Sequence, residues 1–298
     1  MRSENGHPSP VPPPQPVLQR TRPGLGTYVT IGVSGLIEAE AEAALERAFA
    51  AIARVDAAMS FHSADSDLAR LHAAPLGVAV KVCDDTIAVL QCADRLYRLS
   101  AGGFDVTVAP ALVRRGRLPA PASGTGNPDP RARWADVALL PENRVVLRRS
   151  VWIDLGGIAK GFAVDRAIEA LQLPYAASGQ VNAGGDLRVS GPDIQAVPLR
   201  VPGHPESTHP VIELREASLA SSATDATQAV HFTGGDHRAV VPGRFVSVVA
   251  PTCMVADGLT KVVLAEGSNL ETMLAACDST AYLYAPDSGW KILGGEKR

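Results

Sequence analysis

The stretch VWIDLGGIAKGFAVDRAIEAL, Val151 to Leu171, decides how this chain is read. Its second half is an amphipathic helix. Ile158, Phe162, Val164, Ala167, Ile168 and Leu171 recur at roughly helical spacing, and Asp165, Arg166 and Glu169 can face water. Its first three residues, Val151-Trp152-Ile153, read as a short apolar strand. The junction between them carries the chemistry. Asp154 stands where a carboxylate caps a helix or accepts from a ligand hydroxyl. Gly156 and Gly157 allow a close backbone approach or a positive φ. Lys160 falls near the helix start, where the helix dipole disfavours a cation. A bound anion offsets that cost, since helix amides and an ammonium both favour it. The plain alternative is a capped turn with a solvated lysine, because the turn matches neither a Walker loop nor a GxGxxG fingerprint.

Outward from this stretch, strands and helices mix without strict βαβ alternation, which predicts an α+β fold. Residues 26–33 read as a strand. From Glu38 to Met59, the residues Leu45, Ala48, Phe49, Ile52, Val55 and Met59 form a helical stripe. A second helix is expected from about Asp85 to Leu99, and a Pro-, Gly- and Arg-rich loop over 114–133. Strand signals follow at Val145–Leu147, Leu187–Val189, Val211–Leu214 and Phe245–Val249. Helices are expected at about Val255–Leu264 and Leu270–Ala276, and a closing hairpin at Tyr282–Tyr284 and Lys291–Leu293.

The 298 residues are 46% hydrophobic and 20% charged, enough for a sizeable core. A net charge of -3 without a basic stripe gives no case for nucleic acid as a partner. No apolar run is long enough for a transmembrane segment. Residues 1–22 hold six prolines from Pro8 to Pro16 and read as a disordered tail, leaving 23–298 as one domain. Cys83, Cys92, Cys253 and Cys277 form neither a CxxC pair nor a zinc pattern. Free thiols and a chain starting at Met1 without a signal peptide predict a cytoplasmic location.

Three further stretches stand out. In SAGGFDVTVAP, Ser100 to Pro110, two glycines end a helix and Phe104, Val106 and Val108 alternate as in a strand around Asp105 and Thr107. In VNAGGDLRVSG, Val181 to Gly191, Asn182, two glycines and Asp186 precede a strand. In VVAPTCMVADGLTKVVLAEG, Val248 to Gly267, Asp257 and Lys261 share one helix face at i, i+4. A carboxylate set among Val255, Leu259 and Val262 is either paired or bound to a cation. Glycine-rich backbone, a lysine that welcomes anions and carboxylates suited to a hard cation fit a diphosphate ligand with Mg²⁺ better than a protease, zinc or glycosidase site.

In this order the motifs resemble the ApbE family, the FAD:protein FMN transferases. They are GLGTYVTI from Gly24, MSFHSADSDLARLH at 59–72, GGFDVTVAP at 102–110, DLGGIAKGFAVDRA at 154–167, VNAGGDLRVSG at 181–191, LASSATD at 219–225 and SVVAPTCMVADGL at 247–259. The resemblance implies a flavin transferase fold around one FAD site, and Mg²⁺-dependent transfer of FMN from FAD to a threonine hydroxyl of an acceptor flavoprotein. It implies FAD contacts at Leu25, Phe61, Gly103, Phe104, Asp105, Asp154 and Lys160. It implies metal ligation by the Gly157 carbonyl and Asp257, with Asp257 and Lys160 as catalytic residues.

Three departures accompany it. Leu25 stands where the family has Met. Lys261 stands where the family has a metal-binding Thr, and an ammonium cannot ligate Mg²⁺. It either occupies the cation position beside Asp257, which the i, i+4 spacing favours, or lies beyond the metal against phosphate. The family's His-x-x-Asp-Pro-x-Thr-Gly segment is reduced to HFTGGDHRAVVPGRF, with His231 and His237 as remnants. A flavin-storage protein, or a hydrolase that splits FAD into FMN and AMP, therefore stays open beside the transferase.

Overall fold

The computed structural model describes residues 17–121, 127–175, 177–205, 208–224 and 240–294. Its frame is an eight-stranded, wholly antiparallel sheet. The strands are β1 (Leu18–Gly24), β2 (Thr27–Ser34), β6 (Ser178–Ala183), β7 (Asp186–Ser190), β10 (Ser218–Ala223), β11 (Phe245–Ala250), β12 (Thr280–Ala285) and β13 (Gly289–Leu293), in that spatial order. A small sheet of β3 (Ala79–Lys81), β5 (Arg144–Leu147) and β4 (Val137–Leu140) and a pair of β8 (Gln195–Pro198) and β9 (Val211–Leu214) complete the strands among the described residues.

Period-two alternation assigns the two faces of the large sheet. Val29, Ile31, Val181, Ala220, Val246, Val248 and Ala281 enter the main core with the helices. Leu187, Val189, Leu219 and Phe245 face a second, smaller core with Leu199, Val201 and Leu214. Helices therefore cover one face, the α+β arrangement expected from the sequence. The long helix α1 (Glu38–Met59) buries Leu45, Ala48, Ile52 and Val55 and packs on α5 (Ala159–Leu171). Helix α5 lies in turn against α6 (Cys253–Leu264) and on β6 and β7. The remaining helices are α2 (Asp67–Ala73), α3 (Asp84–Leu99), α4 (Ala109–Arg114) and α7 (Leu270–Ala276).

The structure corrects the sequence reading in three places. Val151–Ile153 is not a strand: the Ile153 amide donates to His72 Nε2 (2.9 Å) and the Asp154 amide to the Val106 carbonyl (2.8 Å), so side chain and loop replace a ladder partner. The alternating Phe104, Val106 and Val108 do not form a strand either. Asp105 caps a 3₁₀ turn over Val106–Val108, accepting from the Thr107 amide at 2.8 Å, and α4 follows. Finally, Leu18–Gly24 pairs along its length with β2, so residues 18–22 belong to the sheet and not to the tail; residues 1–16 lie outside the described residues.

Candidate functional site

A cleft of about 410 Å³ opens where the β1–β2 turn, the end of α1, the Gly103–Val108 segment and the Asp154–Lys160 turn meet. Leu25, Phe61, Gly103, Phe104, Asp105, Asp154, Gly157 and Lys160 all line it, joined by Met59, His62, Leu112 and Lys261. Each wall is fixed by local chemistry. Leu25 and Gly26 both take positive φ (55° and 71°) in the two-residue hairpin turn. For leucine that is a strained conformation, and it directs a large apolar side chain at the cleft. Phe61 follows the last turn of α1 and meets the His72 ring edge-on at 5.6 Å. His72, at the end of α2, is buried, and burial lowers its pKa to about 4. It is a neutral acceptor that holds the strand-like approach to Asp154. The Asp154 carboxylate accepts from the Gly156 amide (3.1 Å), and burial raises its pKa. Neither Gly156 nor Gly157 has positive φ; at Gly157 the need is space, since a Cβ there would lie 3.3 Å from Lys261 Cε.

Behind this wall, two helices exchange carboxylates. Asp165 of α5 accepts from the Cys253 and Met254 amides (both 2.9 Å), satisfying the first turn of α6. Asp257 of α6 accepts from the Gly161 amide (3.2 Å), in the first turn of α5. Gly161 makes the crossing possible, since a Cβ there would stand 2.2 Å from the Cys253 carbonyl oxygen. The other oxygen of the wholly buried Asp257 takes Lys261 Nζ at 3.0 Å. Lys261 Nζ also donates to Ser222 Oγ (2.8 Å) and Thr260 Oγ1 (2.9 Å). Lys160 donates to the buried Asp186 at 2.5 Å. Burial opposes the charge on Asp257, but Lys160 and Lys261 outweigh it and hold its pKa below the usual carboxylate range. Burial likewise opposes the charge on Lys160, and Asp257 and Asp186 outweigh it and raise its pKa. Asp186 is pushed up to about 6 by burial and then by Asp257, against the pull of Lys160. Asp186 with Lys160 and Asp257 with Lys261 thus form one cluster of paired charges beside Asp154, and its lysines reach the cleft.

The structure brings eight of the nine sequence-derived site residues onto the cleft surface. The ninth, Asp257, lies behind it, with one oxygen on a helix amide and the other on Lys261. Lys160 is in the first turn of α5, as the sequence predicts, but its charge is matched by Asp186. Asp186 and Ser222 had no role assigned from sequence. Both stand inside motifs singled out above, NAGGD and LASSATD, and what hid their roles is that each acts on a lysine far away in the chain. His231 and His237 lie outside the described residues.

Comparison with known proteins agrees with this fold. The model of the ApbE family matches residues 25–283. A protein named FAD:protein FMN transferase from Haemophilus influenzae is 28% identical over 270 residues, covering 80% of this chain and 77% of its own length. One of the same name from Vibrio cholerae is 27% identical over 256 residues, covering 78% and 77%. Among solved structures, the flavin transferase ApbE from Vibrio cholerae superposes with a TM-score of 0.77 at 22% identity, over 94% of this chain and 97% of that one.

Proposed function

This chain belongs to the ApbE family, and we propose that it transfers the FMN half of FAD to a protein. The observation that carries the reading is one cleft combining apolar and aromatic side chains (Leu25, Met59, Phe61, Phe104) with two lysines at its glycine-lined turn. A ring system and a diphosphate need that combination. In the proposed reaction a threonine hydroxyl of the acceptor attacks the phosphorus of the FMN half. The bond to the AMP phosphate breaks, AMP leaves, and the hydroxyl proton is lost. Such transfers depend on positioning and on neutralising phosphate charge. Lys160 supplies a fixed positive charge at the helix start, and Leu25, Phe61 and Phe104 orient the flavin. Asp257 acts as a positioning residue: its low pKa and its two partners suit it to holding charges in place, not to taking a proton.

Mg²⁺ is the group that the family resemblance adds. Its expected ligands are the Gly157 carbonyl and Asp257. Here Lys261 Nζ already sits on Asp257 and on the Ser222 and Thr260 hydroxyls, and its stem packs over Gly157. Among the described residues no three His, Cys, Asp or Glu side chains converge as metal ligands. These residues, as arranged, do not fit a dication that demands near-ideal octahedral oxygen coordination, and no step above is routed through one.

The test is incubation of the purified protein with FAD and a threonine-bearing acceptor domain. The expected outcome is a flavin-fluorescent acceptor band with matching AMP release. AMP without labelled acceptor would make the protein a hydrolase, and unchanged FAD would make it a binder; either result overturns the transferase reading.

A further inference from the structure

We propose that the Lys261 ammonium takes the place of a divalent cation, so that this chain handles the FAD diphosphate without Mg²⁺. The inference deepens the transferase reading and rests on it for the identity of the ligand.

The argument is one of coordination. An ammonium has three donors. Lys261 Nζ finds three oxygens, at 2.8, 2.9 and 3.0 Å, from Ser222, Thr260 and Asp257. A carboxylate with two hydroxyls is the donor set of a hard cation, and here a cation that cannot leave satisfies it. The surroundings match. Asp257 gives its second oxygen to the Gly161 amide, so neither of its oxygens is left without a partner for a metal to take up. The Lys261 stem lies against Gly157, where a Cβ would stand 3.3 Å from its Cε and 3.4 Å from its Cγ. Each ammonium already has a buried carboxylate partner, Asp186 on Lys160 and Asp257 on Lys261. A dication on Asp257 would have to displace the ammonium or lie within a few ångströms of it, and like charges at that distance repel strongly in a buried site. Lys261 nevertheless lines the cleft, with its side chain 18% exposed. It thus presents positive charge to a diphosphate on one side while anchored on the other. During transfer the acceptor oxygen–phosphorus bond forms, the bond to the AMP phosphate breaks, the hydroxyl proton goes to water, and Lys261 acts as a fixed charge that exchanges no proton.

The experiment is a Mn²⁺ titration, followed by loss of the free-ion electron paramagnetic resonance signal, on chelator-treated full-length protein. Wild type, Lys261→Thr and Lys261→Met are compared, each with and without FAD. We expect Lys261→Thr, which exchanges the ammonium for a hydroxyl ligand, to bind Mn²⁺ at least tenfold more tightly than wild type. Lys261→Met, which removes the ammonium but supplies no hydroxyl ligand, should bind Mn²⁺ more tightly than wild type but less tightly than Lys261→Thr, and lose turnover. Wild-type turnover should change less than twofold between excess EDTA and millimolar Mg²⁺. Mn²⁺ binding by wild type as tight as by Lys261→Thr, or wild-type turnover abolished by EDTA, overturns the proposal. FAD binding, followed separately by flavin fluorescence, tests the functional reading: its absence in wild type would sink that reading, whereas the comparison of metal affinities without FAD decides the Lys261 proposal alone.

Discussion

His72 illustrates how much of the site depends on a residue that does not line it. Its Nε2 accepts from the Ile153 amide and its ring abuts Phe61, so one neutral imidazole braces both the turn to Asp154 and the aromatic wall. Burial lowers its pKa to about 4, against about 6.5 in an unfolded chain. Between these values the unfolded state binds the extra proton. The stabilisation is therefore fully present above about pH 6.5 and is lost as the pH falls towards 4. The expected loss is about 2 kcal/mol between pH 7.5 and pH 5. Urea unfolding at the two pH values measures it. In His72→Gln, whose amide oxygen accepts the same bond without titrating, the difference should shrink by most of that amount. An unchanged difference would mean that His72 titrates alike in the folded and the unfolded chain. The motif at 59–72 ends on this histidine but gave it no role, because its partner is a backbone amide 81 positions away.

At the scale of elements, the crossing of α5 and α6 sets the position of both lysines. The crossing is close because Gly161 has no side chain, and backbone blocks any addition there: the Cys253 carbonyl oxygen, 2.2 Å from a would-be Cβ, cannot rotate away. Gly161→Ala should therefore push the helices apart and lengthen the Asp257 cap. The expected cost is about 2–3 kcal/mol of stability, together with weaker FAD binding as Lys160 and Lys261 shift. Chemical denaturation and flavin titration check the two effects, and a variant as stable as wild type would contradict the packing described. The helices were the most legible elements in the sequence. The stripe from Glu38 to Met59 gives α1 with its observed ends, since a long apolar face is a local signal. Short elements were not legible in the same way. Val151–Ile153 has strand composition but bonds to His72 and Val106, and Val106–Val108 alternates yet turns because Asp105 caps it. Helix α2 lay unread within the MSFHSADSDLARLH motif, its start marked by Ser66 accepting from the Ala69 amide. Residues 18–22 passed for tail because Gln19, Arg20, Thr21 and Arg22 suit an edge strand with few apolar contacts. The cleft residues were legible through the family motifs, whereas the contacts that decide the charge balance, Lys160 to Asp186 and Lys261 to Ser222, join distant segments that no local pattern links.

Across the whole molecule the sheet joins what the chain separates. Strand β2 pairs with β6, Val29 opposite Ala183, and β7 pairs with β10. The cleft inherits this reach: its walls run from Leu25 to Lys261, and the anchor of Lys261 includes Ser222 on β10. Contacts of such long sequence separation form late in folding. A chain ending at Arg215 keeps Leu25, Phe61, Phe104, Asp154 and Lys160 but lacks β10, β11 and α6, and it should bind no FAD in a flavin titration; binding equal to that of the full chain would show that residues 1–215 form the cleft unaided. For protein synthesis the consequence is one of timing. While the nascent chain is still on the ribosome with α6 unmade, it has no seat for the dinucleotide, so flavin is captured only after Cys253–Leu264 has emerged.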